Sequence, residues 1–135
     1  MGFGNGACTC QQVRSHAGVA SADPDGLVPL RMDDVLERLV KARAHMLRGE
    51  VAAKGEAISR CVEIIGGLRD TLDPEVEPTM VGRLDSLYEF MSRRLLQANL
   101  RDDATILDEV SKLLHQVRDS WMQIAPAPAD HVAGA

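Results

Sequence analysis

Four stretches of this sequence place apolar residues at spacings of three and four, a pattern that strongly constrains the fold. This spacing keeps the apolar side chains on one face of an α-helix. The stretches cover residues 29–48, 52–72, 79–99 and 102–124. The apolar positions are Val28, Met32, Val35, Leu39, Ala42 and Met46; Ile58, Cys61, Ile65, Leu68 and Leu72; Met80, Leu84, Leu87, Met91, Leu95 and Ala98; and Ile106, Val110, Leu113, Val117, Trp121 and Ile124. Four such helices joined by short turns predict an all-α fold, an antiparallel up-down four-helix bundle.

The breaks between the stretches carry residues that end helices. Gly49 follows the first stretch, and two prolines in LDPEVEP follow the second. After the third stretch, we expect Asn99 to adopt the left-handed conformation that terminates a helix. Asp102 and Asp103 are then expected to cap the fourth helix and to place negative charge at its positive end. So short a connection predicts that the third and fourth helices are antiparallel neighbours.

Two local features modify the regular pattern. Asp23 and Pro24 form a sound helix start, but Pro29 lies where a helix continuing from Pro24 would need a backbone N–H. We therefore expect a broken start, with the regular first helix beginning near Pro29. In the second stretch, Gly66 and Gly67 each cost about 1 kcal/mol relative to alanine. Close approach of a neighbouring helix would explain them.

Composition agrees with this fold and limits the classes of function. Only 3% of the 135 residues are aromatic, so the core must be aliphatic, which favours helices over a sheet. The formal net charge is −5 and no basic stripe stands out, which argues against a nucleic-acid partner. No apolar stretch approaches the roughly 18 residues that span a bilayer, and the start, MGFGNGACTC, lacks the features of a signal peptide. These observations predict a cytoplasmic protein, in the cytosol, with no membrane insertion.

The two ends differ in composition from the middle of the chain. Residues 1–24 are rich in glycine, alanine, serine and polar residues, and residues 125–135 read APAPADHVAGA. Segments of this kind bury too little apolar surface to fold by themselves. We therefore expect a flexible, mobile N-terminal arm over residues 1–24, the bundle over residues 25–124 and a disordered tail over residues 125–135.

The spacing of the cysteines does not match that of a structural metal site. Cys8 and Cys10, with His16 nearby, could bind a soft metal, but a structural zinc site needs four ligands and a second pair is missing. We expect Cys8 and Cys10 to lie in the arm and Cys61 to act as a small core hydrophobe. The expectation is no metal and no cofactor.

Catalytic motifs of helical bundles are also missing from the sequence. A carboxylate-bridged metal pair needs Glu-x-x-His on two helices, whereas Ala42 precedes His45 and Lys112 precedes His115 at that spacing. The sequence has no haem-attachment motif and no glycine-rich phosphate loop. We expect no catalytic residues and conclude that the chain is not an enzyme.

Several longer runs resemble one known family. The runs GEVAAKGEAISRCVEIIGGLRDTLD and LDSLYEFMSRRLLQANLRDDATILDEVSKLLHQVRDSW are similar to the flagellar secretion chaperone family FliS. LYEFMSRRLLQANL, ILDEV and the closing VRDSW are especially close. Upstream, QQVRSHAGVASADPDGLV is similar to the N-terminal arm and the first helix start of that family. The resemblance covers about residues 11–124.

The resemblance implies a function for the bundle. Members of the family are cytosolic four-helix bundles that bind the disordered C-terminal segment of flagellin, prevent premature polymerisation and assist export. The flagellar export gate is a second implied partner, and a homodimer is an alternative assembly. A mobile arm could cover the binding groove when it is empty. The candidate flagellin-binding residues are Leu27, Leu30, Val35, Leu84, Tyr88, Met91, Leu95 and Asn99. Tyr88 is the main candidate, because tyrosine combines apolar area with a hydrogen-bonding tip.

This chain departs from the family pattern near its start. Cys10 stands where the family tends to have a tyrosine, and Asp34 replaces a usual glycine in LRMDD. With Pro29, these changes cluster where the arm meets the bundle. They leave a second hypothesis open: a diverged structural or regulatory bundle that self-associates or sequesters another flagellar protein through the same apolar surface.

Overall fold

The computed structural model describes Asp23 and residues 26–124, except for the side chain of Ile124. This region forms four helices: α1 (Leu27–Leu47), α2 (Val51–Asp70), α3 (Pro78–Arg101) and α4 (Ala104–Ile124). Each helix packs against the next along the chain, and α4 packs back against α1. The described residues contain no strand. The predicted all-α four-helix bundle is confirmed, whereas the predicted tail and nearly all of the predicted arm lie outside the described residues.

Ion pairs between the first and last helices fix their relative direction. Arg43, near the end of α1, binds Asp108 near the start of α4, with 2.9 Å between Nε and Oδ1. Arg118, near the end of α4, binds Asp33 near the start of α1. Because each pair joins the end of one helix to the start of the other, α1 and α4 are antiparallel.

The two ends of the bundle are built differently. At one end, residues 48–50 join α1 to α2 and residues 102–103 join α3 to α4; we call this end the turn pole. At the other end, α1 begins, residues 71–77 join α2 to α3, and α4 ends; we call this end the linker pole. Both boundaries of the described chain therefore lie at the linker pole.

The centre of the bundle is almost entirely aliphatic. The core is formed by Val28, Met32, Val35, Leu36, Leu39, Ala42 and Met46 of α1; Ile58, Cys61, Ile64, Ile65 and Leu68 of α2; Tyr88, Met91, Leu95 and Ala98 of α3; and Ile106, Leu107, Val110, Leu114, Val117 and Trp121 of α4. Most positions of the four predicted stripes belong to it, which explains why the spacing pattern was informative.

In each of two stripes, one position expected in the core was predicted wrongly. Leu87 and Leu113 were expected in the core, but both are only partly buried. Their neighbours Tyr88 and Leu114 occupy the central positions, with 1% and 0% of their surface exposed. In each helix two adjacent apolar residues satisfy the same spacing of three and four, and packing against the other helices selects one of them.

The turn between α3 and α4 lies three residues later than predicted. Asn99 is helical, and Asp102 is the residue in the left-handed conformation, with φ 54° and ψ 45°. The buried Lys54 of α2 donates from Nζ to the carbonyl oxygen of Asn99 at 3.1 Å and to Oδ1 of Asp102 at 2.5 Å. Asp103 caps α4 by accepting from the backbone N–H of Thr105 at 2.9 Å. Asp102 thus adopts the turn conformation, and Lys54 binds its carboxylate. Of the two aspartates, only Asp103 caps α4.

The first helix begins at Leu27, two residues before Pro29. Gly26 reverses the chain with φ 67°, and the Asp23 carboxylate accepts from the backbone N–H groups of Leu27 at 2.8 Å and Val28 at 3.0 Å. Pro29 is the third helical residue, where a backbone N–H would have no partner within the helix. The proline therefore fits inside the first turn and does not define the start.

No neighbouring helix packs closely against Gly66 or Gly67 of α2. A Cβ atom built at Gly66 or Gly67 would meet no neighbouring atom within 4 Å. The interpretation that a neighbouring helix requires them is therefore wrong for this fold, and their backbone cost is uncompensated within the described bundle.

We predict that Leu114→Ala lowers the free energy of unfolding by about 2–5 kcal/mol, because it leaves a cavity in the core. Leu113→Ala, one position away on the same helix, should cost clearly less because its side chain is already partly in water. Urea titration of the two variants measures the difference. Equal losses would contradict the observed register of α4.

We also predict that Gly66→Ala stabilises the bundle by about 0.5–1 kcal/mol, since alanine lowers the entropy of the unfolded chain and meets no obstacle in the helix. The same titration measures it, with Gly49→Ala as the control. Gly49 has φ 74°, so alanine is strained there and should destabilise.

Candidate partner-binding surface

An apolar groove runs between α3 and α4 in the half of the bundle nearer the linker pole. Its volume is about 320 Å³. The groove is lined by Met80, Arg83, Leu84 and Leu87 of α3 and by Leu113, Gln116, Val117, Ser120 and Trp121 of α4. Most of these side chains are aliphatic, and the polar ones can form a wet rim, an arrangement typical of protein interfaces.

The groove exists because two helices carry more apolar residues than the core accepts. Leu87 and Leu113 flank the central positions of their helices and remain half-buried. Each extends the apolar face of its helix toward the other helix. Solvent therefore reaches a strip of aliphatic side chains that continues directly into the core.

An ion pair joins α3 to α4 nearer the turn pole, beyond the groove. Arg94 reaches Glu109 with both guanidinium arms, at 2.9 Å for Nε to Oε2 and 2.9 Å for Nη2 to Oε1. The hydrogen bonds from Arg94 hold the pKa of Glu109 below its usual value of 4.5. The carboxylate therefore stays charged at neutral pH, and the α3–α4 seam is pinned here, whereas it stays open around Leu87 and Leu113.

A second group of exposed apolar side chains lies around the turn pole. Leu47 ends α1 and Val51 begins α2, while Leu96 and Leu100 belong to the last two turns of α3. All four are exposed, and Leu100 is the most exposed at 85%. These residues do not line the groove. They lie at the same end of the bundle, and we call these four residues together the turn-pole patch.

Four of the sequence-predicted binding residues have side chains outside the core. Leu84 lines the groove. Leu27 and Leu30 are exposed on the first turn of α1 and are not among the groove residues. Asn99 is half-buried, and its carbonyl accepts a hydrogen bond from Lys54. The structure therefore does not gather these four residues on one surface.

The other four predicted binding residues are buried in the bundle. Val35, Met91 and Leu95 have no exposed surface, and Tyr88 keeps 1%. Burial raises the pKa of the Tyr88 hydroxyl well above its usual value. In this conformation none of the four can contact a partner, so the choice of Tyr88 as a surface anchor needs correction: its ring packs in the core.

Sequence reasoning missed the α4 side of the groove. Leu113, Val117 and Trp121 were assigned only to the core stripe, although Leu113 is half-buried and all three line the groove. The signal that was available is the adjacent pair Leu113–Leu114. Two large apolar residues in succession widen the apolar face of a helix, and here only Leu114 of the pair is fully buried.

The described residues offer no evident site for metal chemistry. Among them no cluster of three or more histidine, cysteine or acidic residues could hold a metal ion, and Cys8, Cys10 and His16 lie outside the described region. Cys61 is buried, and burial raises the pKa of its thiol to about 12, so this thiol stays protonated and unreactive at neutral pH. Within residues 26–124, each helix is too short or too polar to cross a membrane.

Comparisons with known proteins agree on one family. A family model described as "Flagellar protein FliS" matches residues 7–128. The flagellar secretion chaperone FliSB of Pseudomonas aeruginosa is 46% identical over 111 residues, which are 82% of this chain and 88% of that protein. The flagellar secretion chaperone FliS of Salmonella typhimurium is 43% identical over 116 residues, 85% of this chain and 86% of that protein. The protein of that name from Escherichia coli is 37% identical over 119 residues, 87% of this chain and 88% of that protein.

Proposed function

This chain belongs to the FliS family of flagellar export chaperones, and on that premise we propose that it binds the disordered C-terminal segment of flagellin. Binding prevents premature polymerisation of the subunit and assists its export. The observation that carries the proposal is the apolar groove between α3 and α4. It offers a partner aliphatic surface that the bundle itself does not cover.

The shape and chemistry of the groove suit an amphipathic segment. Such a segment buries its apolar residues against Leu84, Leu87 and Leu113, and its polar face remains in water beside Arg83 and Gln116. Helices commonly bind apolar grooves in this way. The segment loses conformational entropy as it becomes ordered, so the contact must be largely apolar and must extend beyond one groove of about 320 Å³.

Further apolar surface is available along the bundle. Leu27 and Leu30 are exposed near the linker pole, and Leu96 and Leu100 near the turn pole. We propose that a long, extended client segment continues from the groove to these pairs and engages several short apolar sites in turn.

The same function implies where and with what else the chain acts. An export chaperone meets its client before secretion, so we place it in the cytoplasm, with the flagellar export gate as a further partner. The N-terminal arm is proposed to cover the groove when no client is bound. We propose no catalytic step, since the binding function described above requires none.

The turn-pole patch supports a second candidate function. Leu47, Val51, Leu96 and Leu100 expose aliphatic surface that lies outside the groove, and patches of this kind mark contacts between proteins. A bundle that self-associates through them, as a homodimer, or sequesters another flagellar protein is the alternative. Sedimentation equilibrium of wild type and Leu100→Glu tests it, because loss of a dimer in the variant would locate the interface at this patch.

Isothermal calorimetry tests the client directly. The purified chain should bind its cognate flagellin, and it should not bind flagellin that lacks the C-terminal segment. A polymerisation assay should show that a molar equivalent of the chain delays filament growth. Equal binding to the truncated flagellin would refute the C-terminal segment as the ligand.

We predict that Leu113→Asp weakens flagellin binding by about 2 kcal/mol, which is about thirtyfold in the dissociation constant. The charge would lie in the apolar groove, whereas Val40→Asp places the same charge on an exposed position of α1 and should leave affinity unchanged. Thermal unfolding of both variants must remain cooperative. Equal affinity for the two variants would remove the groove from the binding surface.

A further inference from the structure

The groove between α3 and α4 contains one charged side chain among the described residues that line it. This is Arg83, and the other lining residues are apolar or uncharged. Arg83 is exposed and forms no ion pair with any residue that the structure describes. A guanidinium is charged at neutral pH, and its N–H groups form a fixed fork that fits a carboxylate. The groove therefore presents an unpaired cation beside its apolar floor.

The described part of the chain offers Arg83 no ready acidic partner. Side chains on a helix meet those three and four positions away, and for Arg83 these are Thr79, Met80, Ser86 and Leu87. None of them is acidic. Asp85 already binds Arg69 of α2. Glu77, which precedes the helix, is buried and is not among the residues that line the groove. Arg83 is therefore available to a carboxylate from another molecule.

Arg94 shows how an arginine of α3 is paired elsewhere along the same seam. It lies eleven residues after Arg83, which is about three turns of helix, so both arginines are on nearly the same side of α3. Arg94 donates from Nε to Oε2 of Glu109 at 2.9 Å and from Nη2 to Oε1 at 2.9 Å. Its side chain is only 25% exposed. A carboxylate from the α4 side thus satisfies an arginine at this position of α3 with two parallel hydrogen bonds.

The residue that corresponds to Glu109 at the level of Arg83 is Ser120. Because α3 ends and α4 begins at the turn pole, the two helices run in opposite directions. Eleven residues back from Arg94 and eleven residues forward from Glu109 therefore cover the same axial distance, about 16 Å on each helix. Ser120 lines the groove together with Arg83, and so does Gln116 one turn earlier. At this level α4 presents a hydroxyl and an amide in place of the carboxylate that Arg94 receives.

We propose that Arg83 binds a carboxylate of the client and so selects, within the C-terminal segment of flagellin, a stretch in which an acidic residue borders an apolar face. The apolar side chains of this stretch pack on Leu87 and Leu113. Its acidic side chain lies beside Ser120 and accepts from both arms of the guanidinium, as Glu109 does from Arg94. This inference rests on the proposed function, because it names a chemical feature of the same client at the same groove.

The ion pair supplies what the apolar floor of the groove lacks, which is a fixed register. Leu84, Leu87 and Leu113 offer similar aliphatic surfaces, so apolar contact alone allows a bound segment to shift along the groove. One cation at a defined position favours the register that places the acid beside it, and charged groups at an interface act mainly in this way. The net charge of the chain is −5, so on average an acid elsewhere on its surface meets more like charge than opposite charge.

The free chain tests whether a carboxylate at position 120 reaches Arg83. Ser120→Glu supplies the missing acid, and Ser120→Gln is its uncharged control of the same size. The difference in melting temperature between these two variants should favour glutamate more strongly when Arg83 is present than in an Arg83→Gln background. Equal differences in the two backgrounds would overturn the proposal. So would a loss of stability in Arg83→Gln that disappears in a Glu77→Gln background, because Arg83 would then have a partner within the bundle.

Calorimetry of the full-length chain with flagellin tests the selection itself. Arg83→Gln should weaken binding about tenfold, as expected for the loss of a charge-assisted hydrogen-bonded pair, and Arg83→Glu should weaken it further. Arg31→Gln, which removes an exposed arginine of α1 outside the groove, should bind as the wild type does.

Variants of flagellin identify the acid. Single aspartate-to-asparagine and glutamate-to-glutamine changes through its C-terminal segment should reveal one residue whose loss weakens binding to the wild type about tenfold but does not weaken binding to Arg83→Gln any further. Unchanged affinity of both Arg83 variants, or the absence of such an acidic residue, would overturn this inference and leave flagellin binding in place. If the wild type fails to bind flagellin, or binds the truncated flagellin equally well, the proposed function is overturned and this inference with it.

Discussion

The limited width of the core face of each helix determines both the stability of this bundle and its binding surface. A helix in a four-helix bundle can direct only one stripe of side chains to the centre. In α3 and α4 the apolar residues exceed that stripe, so Tyr88 and Leu114 fill the centre while Leu87 and Leu113 remain at the edge. The excess is what forms the groove. The same helices thus supply the core and, one residue earlier in each, the candidate contact surface.

The two poles differ in whether their buried ionisable side chain has a hydrogen-bond partner. At the turn pole, the buried ammonium of Lys54 is satisfied by the carbonyl of Asn99 and the carboxylate of Asp102. Breaking such a pair by removing one partner leaves an uncompensated charge and is strongly destabilising. At the linker pole, the carboxylate of Glu77 has no described partner. The buried charge at the turn pole is therefore paired within the described bundle, while the carboxylate at the linker pole has no hydrogen-bond partner among the described residues.

Much of the fold could be predicted from local sequence, and its failures share one cause. The spacing of apolar residues identified the four helices and most of the core, because the helical repeat depends only on residues close together in the sequence. It could not choose between Leu113 and Leu114, since both fit the repeat and the choice depends on the other three helices. The turn was assigned to Asn99 because asparagine tolerates the left-handed conformation, whereas the contact of Lys54 with Asp102, the observed turn residue, links residues 48 apart in sequence. Long-range contacts of this kind have no local signature.

The candidate site was harder to predict than the fold for a related reason. The resemblance to FliS indicated a partner but not the face that contacts it, and Val35, Met91 and Leu95 were chosen although all three are buried. Apolar character alone does not distinguish a core residue from a contact residue. The adjacent leucines 113 and 114 carry only part of that information: they widen the apolar face of α4, but both members of another adjacent pair, Ile106 and Leu107, are buried.

A partly exposed groove is also a suitable compromise for a chaperone that must release its client. Full burial of Leu87 and Leu113 would remove the contact surface, whereas full exposure would favour aggregation of the free protein. Half-burial leaves each leucine supported by the core on one side and available on the other. The net charge of −5 and the ion pairs on the outer faces of the helices add charged groups to the surface, which favours solubility. In the proposed binding mode, a client segment held at several shallow sites would leave one site at a time, so its release would not need the whole contact to break in a single step.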